Sequence, residues 1–141
     1  MKRFLLITVL LLSGCAQLPP MPGDAESKRF EPLPDRAVIY LARHPLDRDF
    51  VASVTLDDQM IGSTYRGTYM RIEVPAGPHR IQGFAGDSGS IKFDTAPGQI
   101  YFVQQVTHGL RGFAGSSFDL VNADYGRRMV MDGQLTALIS R

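Results

Sequence analysis

Apolar and polar residues alternate with a period of two through most of the chain from Ala37 onward, and turn-forming residues interrupt this alternation at short intervals. The segment 69–74 is the clearest case, because Met70, Ile72 and Val74 are separated by charged residues. Alternate side chains of a strand point to the same face, so this segment predicts a half-buried strand. Repeated along the chain, the pattern predicts a mainly β fold, a small antiparallel β-sandwich of about seven or eight strands.

The predicted strands follow one another with short turns between them. They span residues 37–43, 50–56, 60–64, 69–74, 79–85, 90–95, 100–106 and 118–121. In the turn before residue 79, Pro75 fixes φ and Gly77 is expected to have a positive φ. Asn122 and Gly133 are residue types that begin and end helices, so at most one short C-terminal helix is predicted between them, followed by a strand at 135–139. The alternative, in which this tail forms further strand, stays open.

The first fifteen residues have a different pattern, in which Lys2 and Arg3 precede the apolar run 4–12 and the only cysteine, Cys15, follows. A membrane-spanning helix needs roughly 20 apolar residues, so this run is too short to remain as an anchor. A basic start, a short apolar core and small residues before a cleavage point are typical of a signal peptide. We therefore expect residues 1–14 to be removed from the mature protein.

Leu12, Ser13, Gly14 and Cys15 resemble a bacterial lipobox, the motif at which the cysteine thiol receives a diacylglycerol. The resemblance implies that Cys15 is the site of lipid attachment and that its acyl chains anchor the protein to a bilayer. Ala16 follows the cysteine. Under the sorting rule of bacterial lipoproteins, the lack of aspartate there implies an outer-membrane lipoprotein, which we expect to face the periplasm. An ordinary secretory signal with an incidental cysteine is the alternative.

Residues 15–36 are rich in proline and polar residues and have little to bury. This composition predicts a lipidated, semi-rigid tether that holds the domain off the membrane. Residues 37–141 suffice for one small domain and no more. The predicted organisation is therefore a signal peptide at 1–14, a tether at 15–36 and a β-sandwich at 37–141.

Charge and cysteine content narrow the functional classes. The full chain has 15 basic and 14 acidic residues, and removal of residues 1–14 takes away Lys2 and Arg3, so the formal net charge changes from +1 to −1. No basic surface typical of nucleic-acid binding is expected. Acylation of Cys15 leaves no thiol for a disulfide, a thiolate metal site or a nucleophile, and no cofactor is predicted.

Several segments carry a family resemblance. They are 54–62 with Leu56, Asp57, Ile61 and Gly62; Gly67, Thr68 and Tyr69; 74–79 with Pro75, Gly77 and His79; and 100–103 after Pro97 and Gly98. Together they resemble an uncharacterised family of short bacterial lipoproteins that is distantly similar to PEGA-type β-domains. The resemblance implies a small β-sandwich of unassigned activity and brings no catalytic residues. Asp58 departs from the family pattern, in which glycine usually follows the aspartate of this hairpin.

One loop contains candidate metal ligands. His44, Asp47 and Asp49 offer nitrogen and oxygen donors between the first two predicted strands. Zinc and calcium loops have stricter spacing than this, and an exposed connection explains the same residues, so no metal site is predicted. Ion binding by this loop stays an alternative.

A second loop is predicted as a contact surface. The segment 107–117 contains Leu110, Arg111 and Phe113 among glycines, and we expect it to be mobile. Exposed apolar side chains on such a loop can mark an interaction surface. The alternative is that Leu110 and Phe113 fold back and cap one end of the sandwich.

Residues 86–89, Gly-Asp-Ser-Gly, resemble the nucleophile loop of chymotrypsin-like serine proteases, and His44 and Asp57 precede them. That fold needs two barrels and more chain than residues 37–141 provide, and a triad depends on geometry, not order. A glycine-rich hairpin tip explains the same residues. His79 follows a turn and is expected to bond a local carbonyl group. We predict no enzyme.

The predicted function is that of a membrane-anchored envelope lipoprotein. It acts as a non-enzymatic interaction module for an unknown envelope protein or for the cell wall, and it contacts the lipid bilayer through acylated Cys15. A small-ligand or metal-binding periplasmic module is the alternative.

Overall fold

The structure is a computed structural model that describes residues 19–110 and 113–141, without the side chains of residues 113 and 114. The predicted signal peptide 1–14, Cys15 and Arg111 lie outside the described residues. Neither helix of the described part has the length and apolar character needed to cross a membrane.

Strands dominate the described chain, with one helix near each end. In chain order the elements are α1 (Asp24–Ser27), β1 (Ala37–Arg43), β2 (Ala52–Leu56), β3 (Gln59–Thr64), β4 (Thr68–Val74), β5 (Gly77–Gly83), β6 (Ser90–Thr95), β7 (Ile100–Leu110), β8 (Phe113–Val121), α2 (Ala123–Asp132) and β9 (Gln134–Ser140). A five-stranded sheet has the order β8-β7-β1-β4-β9, and a four-stranded sheet has the order β3-β2-β5-β6.

The predicted mainly β fold with at most one short C-terminal helix is confirmed, and the described residues form nine strands where about seven or eight were predicted. The Asn122 side chain accepts a hydrogen bond from the backbone N–H of Tyr125 at the start of α2, at 2.9 Å. This is the capping contact for which asparagine is favoured, because it satisfies an N–H that has no partner within the helix. Gly133 follows the last residue of α2.

The five-stranded sheet is mixed, which corrects the prediction of a wholly antiparallel sandwich. β1 pairs in parallel with β7, with Val38 opposite Ile100, and β4 pairs in parallel with β9, with Ile72 opposite Ile139. Parallel neighbours need a long crossover in place of a hairpin. Strands β2 to β6 intervene between β1 and β7, and α2 carries the chain from β8 at one edge to β9 at the other.

Strand β1 is buried on both faces because it lies at the centre of the five-stranded sheet. Ile39 and Leu41 belong to the core between the two sheets. Val38 and Tyr40 belong to a second core on the outer face, where they pack with Met129 of α2. A third layer therefore covers the outer face of this sheet.

The segment predicted as a tether contributes to that third layer. Phe30 and Leu33 pack against the outer core, and the Phe30 ring centre lies 5.3 Å from that of Tyr40. Burial of these side chains removes apolar surface from water on both the segment and the sheet. Residues 24–36 are therefore packed on the domain, in contrast to the extended tether expected from their proline content.

Buried polar contacts attach α1 to the five-stranded sheet. The Tyr69 hydroxyl donates to Asp24 Oδ1 at 2.8 Å, and the Leu135 N–H donates to the same oxygen at 3.1 Å. Lys28 Nζ lies 3.0 Å from the other carboxylate oxygen. Burial acts to raise the pKa of Asp24, but these contacts outweigh burial and hold the pKa below its usual value. Burial and the nearby carboxylate both raise the pKa of Tyr69.

The two ends of the sandwich differ in character. One end carries the β1–β2 and β3–β4 loops, the β5–β6 turn and the β7–β8 hairpin. Five large apolar side chains are exposed there, and this surface is called the apolar end: Leu46, Val51, Phe84, Val106 and Leu110. The opposite end carries the β2–β3, β4–β5 and β6–β7 turns.

Gly77 has the predicted positive φ, 133°, at the start of β5. No atom lies within 4 Å of where a Cβ would stand, so a substitution there tests the backbone conformation alone. Gly77→Val is expected to lower the free energy of unfolding by about 1–3 kcal/mol, because a β-branched residue is strained at this φ. Thermal unfolding measures the effect, with Ala76→Val as the control. Equal melting temperatures for the two variants would contradict the assigned backbone conformation.

Candidate functional site

A buried arginine organises the apolar end from within. Arg43, the last residue of β1, has no exposed surface, and its Nε donates to Asp47 Oδ2 at 2.9 Å. Its two Nη atoms donate to the backbone oxygens of Arg48, Phe50 and Thr64 and to the hydroxyl of Thr107. A buried charge is tolerated where it is paired and its hydrogen-bonding groups are satisfied, and both conditions hold here.

The carboxylate of Asp47 is occupied by the same cluster. Its side chain is 6% exposed, and besides Arg43 it accepts hydrogen bonds from the Arg48 N–H and from the N–H and hydroxyl of Thr107. These donors use the oxygens that a metal ion would need. Asp47 therefore holds the β1–β2 loop against β7.

The other two residues of the candidate metal loop have separate contacts. His44 Nδ1 accepts from the Leu46 N–H at 3.1 Å, and Asp49 lies 3.9 Å from Arg66. Across the part of the chain that the structure describes, no group of three or more His, Cys, Asp or Glu residues is arranged to hold a metal ion. His44, Asp47 and Asp49 are thus neighbours in the chain that serve different structural contacts.

Buried polar contacts continue from this cluster to the edge of the sandwich. The Thr64 hydroxyl donates to Gln105 Oε1 at 2.6 Å, and Gln105 Nε2 donates to Ser116 Oγ at 2.9 Å. Asp87 accepts the Ser116 N–H at 2.8 Å, which fastens the β5–β6 turn to β8. Gly89 of this turn lies so close that a Cβ would stand 1.7 Å from the Ser116 carbonyl oxygen. Only glycine fits this approach of the two sheets.

Two clefts open at the apolar end. The larger has a volume of about 550 Å³ and is lined by Val51, Phe84 and His108. The smaller has a volume of about 190 Å³ and includes Leu46 and Val106 in its walls. Because the β5–β6 turn and the β1–β2 loop are held by Asp87 and Arg43, the larger cleft is formed before any ligand binds.

The described residues of the segment predicted as a mobile loop at 107–117 belong to two paired strands, β7 and β8, which corrects that prediction. Strand β7 continues to Leu110, and Gly109 lies within the ladder opposite Ala114. The glycines of this segment indicated a loop. Glycine weakens a strand, but it still occurs in paired strands when the partner strand follows directly in the chain.

Of the predicted contact residues, Leu110 can be assessed directly. It is 74% exposed, so it does not cap the sandwich. Phe113 is the first residue of β8, and its side chain lies outside the described set, as does Arg111. Leu110 therefore lies exposed at the end of β7, two residues beyond His108, which lines the larger cleft.

The three residues compared with a protease triad do not come together. Ser88 and His44 lie at the apolar end, whereas Asp57 lies in the β2–β3 turn at the opposite end. Ser88 forms the wall of the larger cleft together with His108, as part of a tight turn fastened by Asp87.

At the opposite end, His79 joins two turns. Its Nδ1 lies 2.7 Å from Asp57 Oδ2, and its Nε2 lies 2.8 Å from the Pro75 carbonyl oxygen, which confirms the predicted contact with a local carbonyl group. The Arg80 N–H donates to the other Asp57 oxygen at 2.8 Å. Burial acts to raise the pKa of Asp57, but the contacts with His79 and Arg80 outweigh it and lower the pKa.

The stability of the domain is expected to fall in acid. Because the pKa values of Asp57 and Asp24 are lower in the folded than in the unfolded state, the unfolded state binds protons first. Their contribution is complete above the unfolded value of about 3.9 and is lost as pH falls through the folded values. Urea unfolding between about pH 7 and pH 2 measures this, and Asp57→Asn is expected to flatten the acid limb. An acid limb unchanged by Asp57→Asn would contradict the assignment.

The cluster around Arg43 could not be found from the sequence. An arginine at the end of an apolar strand is typical of a residue that reaches solvent, and its partner Thr107 lies far along the chain. The spacing of Arg43 and Asp47 was the one available signal, but their pairing depends on the β1–β2 loop folding back over β7.

No protein-family model matches this chain, and no curated protein matches it. The resemblance to short bacterial lipoproteins therefore stays a prediction.

Proposed function

We propose that this protein is a membrane-anchored envelope lipoprotein whose β-sandwich is a non-enzymatic interaction module. In this proposal Cys15 carries the lipid, and the domain contacts an envelope protein or the cell wall. The resemblance of residues 12–15 to a lipobox supports the anchor.

One observation carries the interaction role. Exposed apolar side chains gather at the apolar end, which is held rigid from inside by Arg43 and Asp87. Surfaces of this kind, apolar and rimmed by polar residues, are typical of contact sites. Asp47 and Asp87 beneath this surface already accept hydrogen bonds from the protein, so they support it.

Metabolic labelling with a clickable fatty acid tests the anchor. Wild-type cells are expected to incorporate the label into the protein and to retain it in the membrane fraction. Cys15→Ser is expected to abolish both, while Ala16→Ser, the neighbouring control, keeps the label. Unlabelled wild-type protein with an intact N-terminus would contradict the proposal.

A small-ligand module is the second candidate, and the larger cleft favours it. Its volume of about 550 Å³ lies within the range of small-molecule sites, and apolar Val51 and Phe84 stand beside the imidazole of His108. Calorimetry with cell-envelope extracts separates the candidates. Heat of binding that disappears in Phe84→Ser but persists in Met60→Ser, at the opposite end, would favour a ligand.

A further inference from the structure

The chain between the proposed anchor and the folded domain is short. Residues 24–36 pack on the domain, and Gly23 already stands against Leu138 and Leu135 of β9. From Cys15 to Gly23 is eight residues. Fully extended, such a segment spans at most about 30 Å. If Cys15 is acylated, as proposed above, the domain is confined to the neighbourhood of the bilayer surface.

The segment meets the domain along β9, which begins at the apolar end. Gly23 stands nearest to Leu138 and also beside Leu135, the second residue of β9. The Gln134 N–H bonds to the carbonyl oxygen of Gly67 in the β3–β4 loop, and Gly67 donates its N–H to the carbonyl oxygen of Arg43. The anchored segment therefore reaches the outer face of the five-stranded sheet at β9, within a few residues of the loops of the apolar end.

The β7–β8 hairpin projects from that same end. Arg43, the last residue of β1, is opposite Gln105, and β7 continues from Val106 to Leu110 paired with β8 alone. Five strand residues extend about 17 Å. Leu110 therefore lies up to about 17 Å beyond the end of β1, which is within the full reach of the anchor segment.

The side chains at this end suit the boundary between headgroups and acyl chains. Leu46 is 88% exposed, Val51 63% and Leu110 74%, so these aliphatic groups can enter a bilayer surface without unfolding the domain. Arg48 and Arg66 are exposed in the same loops, and the exposed acids nearby are Asp49, which lies beside Arg66, and Asp132 at the end of α2. Apolar side chains flanked by arginines favour an anionic bilayer surface.

We propose that the apolar end docks on the bilayer itself, so that the contact surface around Leu110 takes phospholipid as its partner. This rests on the proposed acyl anchor and narrows the partner of the apolar end from an envelope protein or the cell wall to the membrane. The sheet faces and the opposite end then remain for any protein partner.

Depth-dependent quenching in vesicles tests the docking. The acylated protein is reconstituted in vesicles of phosphatidylethanolamine and phosphatidylglycerol that contain nitroxide-labelled lipid. Because the chain has a single cysteine and acylation blocks it, Leu110→Cys, Val51→Cys and the control Met60→Cys each offer one thiol for a fluorophore. We expect probes at 110 and 51 to be quenched several-fold more than a probe at 60, and the difference to shrink when Arg48→Gln and Arg66→Gln are combined.

Other outcomes overturn the proposal. Equal quenching at the three positions, or none at any, would mean that no defined end faces the lipid. Crosslinking of position 110 to a protein in cells, with no quenching in vesicles, would assign the apolar end to a protein partner. Circular dichroism of each labelled variant establishes that it is folded. The anchor is tested independently of docking. Failure of fatty-acid labelling at Cys15 would contradict the proposed lipoprotein function, whereas the quenching experiment tests only the docking.

Discussion

Arg43→Met is expected to lower the free energy of unfolding by about 3–5 kcal/mol, because it leaves the Asp47 carboxylate buried without its charge partner. The four other acceptors of the guanidinium would also lose their donor. Methionine replaces the aliphatic part of the side chain but not the guanidinium, so the loss combines the polar contacts with a small cavity. Urea unfolding of the purified domain measures it.

Two further variants make this result specific. Arg48→Met changes an exposed arginine of the same loop and is expected to alter stability by less than about 0.5 kcal/mol. Adding Asp47→Leu to Arg43→Met is expected to restore part of the loss, since neither charge then remains unpaired. A single Arg43→Met variant as stable as the Arg48→Met control would show that the cluster does not support the apolar end.

Asp24→Ala is expected to have the second largest effect, about 2–4 kcal/mol, because it leaves the Leu135 N–H buried without an acceptor and leaves the Tyr69 hydroxyl only its 3.4 Å contact with the Asp24 carbonyl oxygen. Lys28 would lose its ion pair as well. Hydrogen exchange is expected to show faster exchange across residues 24–36 in this variant. Glu26→Ala, an exposed residue of the same helix, is the control.

The Asp24 variant distinguishes two pictures of the N-terminal segment. If residues 24–36 are part of the domain, the urea midpoint falls and their protection is lost together. If they are a detached tether, as their composition alone suggests, the midpoint stays at that of wild type and these residues exchange at the rate of an unfolded chain in both proteins.

The strand pattern was largely contained in the sequence. Alternation identified β1 and β6 with their observed limits, and the residues Asn122 and Gly133 marked α2 through their local roles in helix capping. These signals act over a few residues, so no knowledge of the tertiary fold was needed. The bond between His79 and the Pro75 carbonyl group is local in the same sense.

Features that depend on distant segments were missed. Phe30 and Leu33 have nothing to pack on until the outer face of the five-stranded sheet exists, and that face is defined by strands 37–43 and 100–110 together. The parallel pairing of β1 with β7 follows from the path of the whole chain. The paired strands within 107–117 were mistaken for a loop because glycine weakens a strand, yet adjacent partners still pair.

In the function that we propose, a lipoprotein works by contact from a position close to the membrane. Arg43 and Asp47 at one end of the sandwich, and Asp57 and His79 at the other, are held in hydrogen bonds with the protein, so these groups have structural roles. Their substitution is therefore expected to affect stability first, and any loss of cellular function should follow the loss of folded protein.

Crosslinking in intact cells, with capture of the protein and mass spectrometry of what is bound to it, tests the account most directly. Wild type is compared with Cys15→Ser, with folding of both verified after purification. The account predicts a discrete envelope protein or wall fragment captured by wild type and lost without the anchor. Capture of nothing by the anchored protein, or of the same partner by both proteins, would contradict an interaction module that depends on its lipid.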